Sequence, residues 1–210
     1  MDIWHMGPWK VFLAGGPIMW PILISSIWAL AIIIEKIWYL SRIRTDAADF
    51  LKGILEKLKA HKLKEAISDC DAAFCPIGQI LKAGILKKGR SRQEIKEAIE
   101  DASLYEIPLL ERSLSALATI AHTAPLLGLL GTVTGMVRCF QTIQQKAGTL
   151  HPVNPGDLAG GIWEALLTTV FGLMVAIPAF ISYNYLVNRV NNIILELERA
   201  AVELVNFLTE

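Results

Sequence analysis

Residues Ala124–Cys139, APLLGLLGTVTGMVRC, decide how this chain is to be read. Pro125, Gly128, Thr132, Gly135 and Cys139 follow one another at separations of three, four, three and four residues, the spacing of one helix face. Ala118, Ala121 and Thr142 prolong the stripe, and Gly131 belongs to the same run of small residues. In water a helix this rich in glycine is disfavoured, because each Gly costs about 1 kcal/mol relative to Ala. In lipid, where hydrophobicity no longer drives helices together, small residues let two backbones approach closely. Thr132 then places a polar group in the middle of that face.

The surroundings agree with lipid. The chain has 210 residues, 53% of them hydrophobic, and a positive mean hydropathy. That composition fits an integral membrane protein better than a soluble domain. Three stretches lack any charge: Val11–Ile34, Ser113–Val137 and Ala165–Asn188. Each exceeds the ~20 residues needed to cross a hydrocarbon core of about 30 Å. A chain of this size has no core large enough to hide three such helices. The first stretch is too long for a signal-peptide core, no small-x-small cleavage site follows it, and Glu35, Lys36, Arg42 and Arg44 read as stop-transfer.

Orientation follows from the basic residues. Residues 35–112 hold 15 of the 20 Lys and Arg, whereas 139–157 hold only Lys146. The positive-inside rule makes 35–112 cytoplasmic, with Lys36, Arg42, Arg44 and Arg112 nearest the spans and Arg138 a mild exception. The expected layout is an outer N-terminus (1–10), span one (11–34), a cytoplasmic region (35–112), span two (113–138), an outer connection (139–160), span three (161–188) and a cytoplasmic C-terminal helix (189–210). The expected fold is all-α: three membrane helices with long helical cytoplasmic extensions.

Helical periodicity runs through the cytoplasmic region. Asp46–Leu58 carries one apolar stripe, and Lys62–Asp71 and Ile77–Lys88 are shorter patches separated by Phe74-Cys75-Pro76 and ended by Gly89. Ser91 with Glu94 forms a capping-box pattern. From there the pattern predicts one helix from Arg92 to about Gln145, roughly 80 Å at 1.5 Å per residue, with Pro108 as a kink point. Val190–Leu208 continues helically after span three. Cys70 and Cys75 have neither CxxC spacing nor His partners, and Cys139 reads as a packing residue.

Span three repeats the small-residue stripe, with Ala165, Thr169, Gly172, Ala176 and Ala179 at separations of four, three, four and three. Glu164 and Thr168 lie one turn apart on the adjoining face. An acid beside a membrane span is expected to face a bundle interior or an aqueous path; the alternative is that Glu164 caps the span at the water interface. Single Thr residues in membrane helices commonly bond back to their own backbone, yet two spans each carry a Thr within such a stripe. Pro178 is expected to bend the inner half of the span. His122 reads as a packed or interfacial residue rather than a proton shuttle.

LLGLLGTVTGM, followed by a loop and GGIWEALLTTVFGLMVAIPAFISYN, closely resembles the MotA/TolQ/ExbB proton-channel family, and GGPIMWPILISSIWALAIIIEK resembles the ExbB-type start of that family. The resemblance covers about residues 10–190 and is most like ExbB. It implies a homopentamer in the bacterial inner membrane whose second and third spans line a central pore. Inside that pore would sit the membrane helices of an ExbD/TolR-like dimer, whose aspartate takes up and releases the coupling ion. By motif match Thr132 and Thr169 would be pore-facing hydroxyls, Glu164 the motif acid, and Thr168 an added hydroxyl where proton-driven members often have Ala. Thr134 stands where many members have Trp. Gly128, Gly131, Gly135, Ala165, Gly172 and Ala176, with Pro125 and Pro178, would serve helix packing. No cofactor is implied. The transported ion is the proton, with Na⁺ as the alternative because extra oxygens suit its coordination.

The implied function is an ion-driven motor subunit doing work on a periplasmic or outer-membrane load, as in TonB-type biopolymer transport. A TolQ-like role in the envelope and a motility motor are the related alternatives. Catalysis is not expected, since GxGxxG, GxxxxGK[ST] and HExxH are all absent from the sequence, and no nucleic-acid partner is implied. A non-conducting membrane scaffold is the rival of another class. It needs the small-residue stripes but not Thr132, Thr169 and Glu164.

Overall fold

The computed structural model describes residues 7–43, 47–73, 75–147 and 154–209. Residues 1–6 of the expected outer N-terminus, Arg44 of the basic flank, Asp46 at the expected helix start, Phe74 and residues 148–153 of the connection lie outside the described residues. The elements are α1 (Pro8–Ala14), α2 (Met19–Arg42), α3 (Ala47–Lys59), α4 (Leu63–Ala72), α5 (Pro76–Leu86), α6 (Arg92–Glu111), α7 (Leu114–Ala147) and α8 (Pro155–Thr209). No strand occurs among the described residues. Among the described residues, helices long and apolar enough to cross a membrane occur three times, around α2, α7 and α8. The chain divides into two compact units, residues up to Ile34 with Ser115–Asn184, and Glu35–Leu114 with Tyr185–Glu210.

In the first unit the expected opening span is not one helix. Val11–Ala14 belong to α1, and a turn through Gly15-Gly16-Pro17 separates it from α2. Gly16 has φ +72°, a left-handed conformation open to glycine, and Pro17 has no N–H to donate. Gly16 donates to the Leu13 carbonyl (3.3 Å), and its own carbonyl accepts from Met19 (3.2 Å). Phe12 stacks on Trp9 and meets Trp20 edge-on across this turn. Helix is also present where a connection is expected, at 139–147 and 155–160. Ile24, Ile27, Trp28, Leu129, Val133, Leu166, Val170 and Met174 are all exposed. Apolar surface on this scale has lipid or another membrane helix as its natural solvent.

The second unit buries Leu51, Ile54, Leu58, Ile80, Leu81, Ile85, Ile95, Ile99, Leu197 and Leu204. Gly84 of α5 is held close by its neighbours: a Cβ there would stand 2.8 Å from Ile99 Cδ1 and 3.0 Å from Leu204 Cδ2. Arg92 Nη2 donates to Asn206 Oδ1 (2.9 Å), Lys57 pairs with Asp69, and Lys82 pairs with Asp71 (2.5 Å). The capping box forms: the Glu94 N–H donates to Ser91 Oγ (3.3 Å), and the Ser91 N–H reaches Glu94 Oε1 (3.4 Å). The Ser91 hydroxyl also donates to that carboxylate (2.9 Å), and these bonds hold the Glu94 carboxyl below its ordinary value.

The helix expected to run from Arg92 to Gln145 is broken. It passes through Pro108 and ends at Glu111, where Arg112 turns to ψ 141° and Ser113 to φ 68°. A break leaves the last carbonyls of α6 without helical donors. Lys36 of α2 supplies one: its Nζ donates to Leu110 O (3.0 Å) and, at longer range, to Leu109 O (3.5 Å). A cation at a helix C-terminus also meets the negative end of the macrodipole. Expected as a flanking charge near the cytoplasmic surface, Lys36 is only 2% exposed.

Candidate functional site

Small residues bring α7 and α8 together along a seam. A Cβ on Gly128 would stand 3.0 Å from Thr169 Cα; one on Gly135 would stand 2.7 Å from Gly161 O and 2.8 Å from Ala165 Cβ. One on Gly172 would stand 2.7 Å from Ala124 O and 3.0 Å from Gly128 Cα. Cys139 closes one end of the seam, its thiol reaching the Leu158 carbonyl (3.4 Å). Contacts this close are closed to larger side chains on either helix, so the two stripes read from the sequence are two sides of one intramolecular contact.

The contact face is turned slightly from the stripe of Pro125, Gly128, Thr132, Gly135 and Cys139. Its buried line in α7 is Ala121, Ala124, Gly128, Gly131, Gly135 and Cys139, while Pro125 and Thr132 are half-buried at its edge. In α8 the buried line is Ala165, Thr168, Gly172, Ala176 and Ala179, with Thr169 half-buried and Pro178 exposed within an unbroken helix. Thr168 is 1% exposed and fills the notch opposite Gly131, where a Cβ would overlap its Oγ1. Its hydroxyl donates to Ala165 O (2.8 Å), so in this chain Thr168 is a seam residue.

The other two threonines are placed differently. Thr169 Oγ1 donates across the seam to Gly128 O (3.1 Å) and approaches Ala165 O (3.3 Å). Thr132, one turn along α7 from Gly128, donates to Leu129 O (2.6 Å), and Thr134 to Gly131 O (3.0 Å). Each hydroxyl keeps oxygen lone pairs that can accept. The exposed His122 ring contacts Ala118 O through Nδ1 (2.7 Å) and meets Phe180 edge-on.

Glu164 has a partner that sequence reading missed. Arg138 Nη1 donates to both carboxylate oxygens, at 2.6 Å for Oε2. Gly16, in the α1–α2 turn, closes the third side, since a Cβ there would overlap Glu164 Oε1 and stand 3.3 Å from Cγ. Three chain segments thus converge on one carboxylate. The available signal was that α7 between Leu114 and Gln145 carries one formal charge, Arg138, and that α8 between Leu158 and Asn188 carries one, Glu164. Two opposite charges in adjacent apolar helices are expected to pair.

Fold and seam define a polytopic helical membrane protein whose second and third spans are zipped by small residues, with hydroxyls along one edge and an ion pair at one end. The chain belongs to the MotA/TolQ/ExbB proton channel family, whose model matches residues 72–199. It is 33% identical over 172 residues to the ExbB-like biopolymer transport protein 3 of Synechocystis sp., covering 82% of this chain and 81% of that protein. It is 35% identical over 185 residues to the Tol-Pal system protein TolQ of Haemophilus influenzae, covering 82% and 79%. To the biopolymer transport protein ExbB of Neisseria meningitidis serogroup A it is 27% identical over 194 residues, covering 84% and 85%. The family is one of transport and channel proteins rather than catalysts.

Proposed function

We propose that this chain is the ion-conducting subunit of an inner-membrane motor: a homopentamer that surrounds an ExbD/TolR-like dimer and converts proton flow into work on a periplasmic or outer-membrane load. The N-terminus and the 139–160 connection are periplasmic, and 35–112 and the C-terminal helix are cytoplasmic, because the Lys and Arg concentrate in 35–112. Biopolymer transport is the favoured load, from the names of the ExbB-like relatives, with a TonB-like protein as the element being energised.

The observation that carries this reading is the position of Thr132 and Thr169. Both are half-buried on the edge of the α7–α8 seam, one helical turn apart across the contact, beside a broad exposed apolar face. Hydroxyls can donate to a carboxylate or accept from a carboxylic acid, so they can accompany either state of a partner's aspartate. A protonated carboxyl moves through apolar surroundings far more cheaply than a charged one, which lets protonation license movement of the inner helices. Thr168, turned into the seam, packs the wall instead.

The test is Thr132→Val and Thr169→Val in the chain assembled with its single-span, aspartate-bearing partner. Valine keeps the shape and removes the hydroxyl. Ion-driven work on the load should be lost, while the oligomer, sized by native mass spectrometry, stays intact. Normal work by both variants would defeat the pathway assignment and favour the non-conducting scaffold.

A further inference from the structure

Glu164 and Arg138 form a closed arrangement. Both oxygens of the carboxylate accept from Arg138 Nη1, and the remaining side is walled by Gly16, whose φ of +72° and lack of a side chain make room for the acid. The Glu164 side chain is 15% exposed and that of Arg138 48%, so the guanidinium reaches the carboxylate from the more open side and covers it. Charge-assisted bonds to both oxygens are stronger than neutral ones and fix orientation. Thr168, one turn from Glu164, has its hydroxyl directed to Ala165 O.

We propose that Arg138 is a specificity-determining positioning residue: by occupying both oxygens of Glu164 it makes the pair a neutral plug that denies Na⁺ a carboxylate ligand at this end of the seam. A bare Na⁺ must replace its hydration shell with several oxygens, and an anionic carboxylate is the strongest such ligand in these two spans. While the guanidinium is in place that ligand is spent. Without it, both Glu164 oxygens are left to take a cation, while Thr168 stays bonded to Ala165 O in the seam. The consequence for ion choice in the working motor rests on the function proposed above; the pairing itself does not.

The experiment compares thermal midpoints of the purified full-length chain with its partner in NaCl and in KCl at constant ionic strength. Selective binding to the folded state raises the midpoint. Wild type and Arg138→Lys should show no Na⁺-specific rise. Arg138→Gln should show one, and Arg138→Gln/Glu164→Gln should lose it. A Na⁺-specific rise in wild type, or none in Arg138→Gln, overturns the proposal. Should Arg138→Gln fail to fold, Arg138→Met repeats the test; if that also fails, adding Glu164→Gln must restore folding, and failure to restore it overturns the pairing. In the active complex, external Na⁺ should depress proton-driven work several-fold in Arg138→Gln and leave wild type unchanged. Equal Na⁺ sensitivity in the two would sink the selectivity argument. A complex that does no ion-driven work yet shows the predicted midpoints keeps the plug and loses the motor.

Discussion

Gly131→Ala tests the seam at its tightest point. The added methyl would overlap Thr168 Oγ1 and stand 2.9 Å from its Cγ2. Thr168 has little freedom to retreat, being 1% exposed with its hydroxyl bonded to Ala165 O at 2.8 Å. Overpacking of this kind costs about 1–3 kcal/mol, while alanine recovers about 1 kcal/mol of helix propensity relative to glycine. The net expectation is a loss of roughly 1 kcal/mol, small enough that the sign alone is a weak test. The double-mutant cycle is stronger. Thr168→Gly forfeits a bond within its own helix, worth about 1 kcal/mol, and some helix propensity, but it removes all the atoms with which the new methyl collides, the Cβ included. Gly131→Ala/Thr168→Gly should therefore be about 1 kcal/mol more stable than Thr168→Gly, the propensity gain alone, which makes a coupling of roughly 2 kcal/mol, within the range seen for residues in contact. The assay is reversible denaturant unfolding in mixed micelles, reading the midpoint at constant slope. Additive losses, or a Gly131→Ala chain more stable than wild type, would refute the notch-and-plug account of these two residues.

Lys36→Met keeps the apolar stem and removes the ammonium that caps α6. Hydrogen bonds to charged groups are worth about 1.5–3 kcal/mol, so a loss near 2 kcal/mol is expected, with faster amide hydrogen exchange at the end of α6; unchanged exchange there would rule out the cap. The Cys70 thiol is pushed up to about 11, by burial first and then by Asp69, Asp71 and Cys75, against the opposing Lys82. Maleimide labelling of Cys70 in a Cys75→Ser/Cys139→Ser chain should be very slow at neutral pH and rise about tenfold per pH unit toward 10, because the thiolate is the nucleophile. Labelling at the rate of a free thiol at neutral pH would contradict that environment.

The parts of the fold legible in the sequence are those set within a few residues. Apolar periodicity marks α3, α4, α5 and the tail of α8, and Ser91 with Glu94 marks the start of α6. The break at Arg112–Ser113 left no such mark, since neither residue is a helix breaker and the apolar pattern runs straight through. It is accompanied by a donor more than seventy residues away, Lys36, whose reach into the carbonyls of α6 depends on tertiary packing. The α1–α2 turn was half legible: Gly15-Gly16-Pro17 is turn chemistry, but set within an uncharged run it reads as part of one span.

The candidate site shows the same boundary at finer scale. A stripe of small residues states that a helix can be approached, and both stripes were readable. It does not state the angle of approach to better than one residue, and one residue separates Gly131 from Thr132 and Thr168 from Thr169. That offset decides chemistry: the seam buries Thr168 against Gly131 and leaves Thr132 and Thr169 at the edge, where their oxygens have room to meet another chain. Charges are subject to a different rule. An isolated acid beside an apolar span is costly, so the presence of Glu164 demands a nearby cation. Arg138, the one formal charge of α7 between Leu114 and Gln145, reads as a topological irregularity when each span is taken alone. Set beside α8 it becomes the required counter-charge, and the irregularity in the positive-inside pattern is explained by a pair that must be kept neutral wherever the membrane boundary falls.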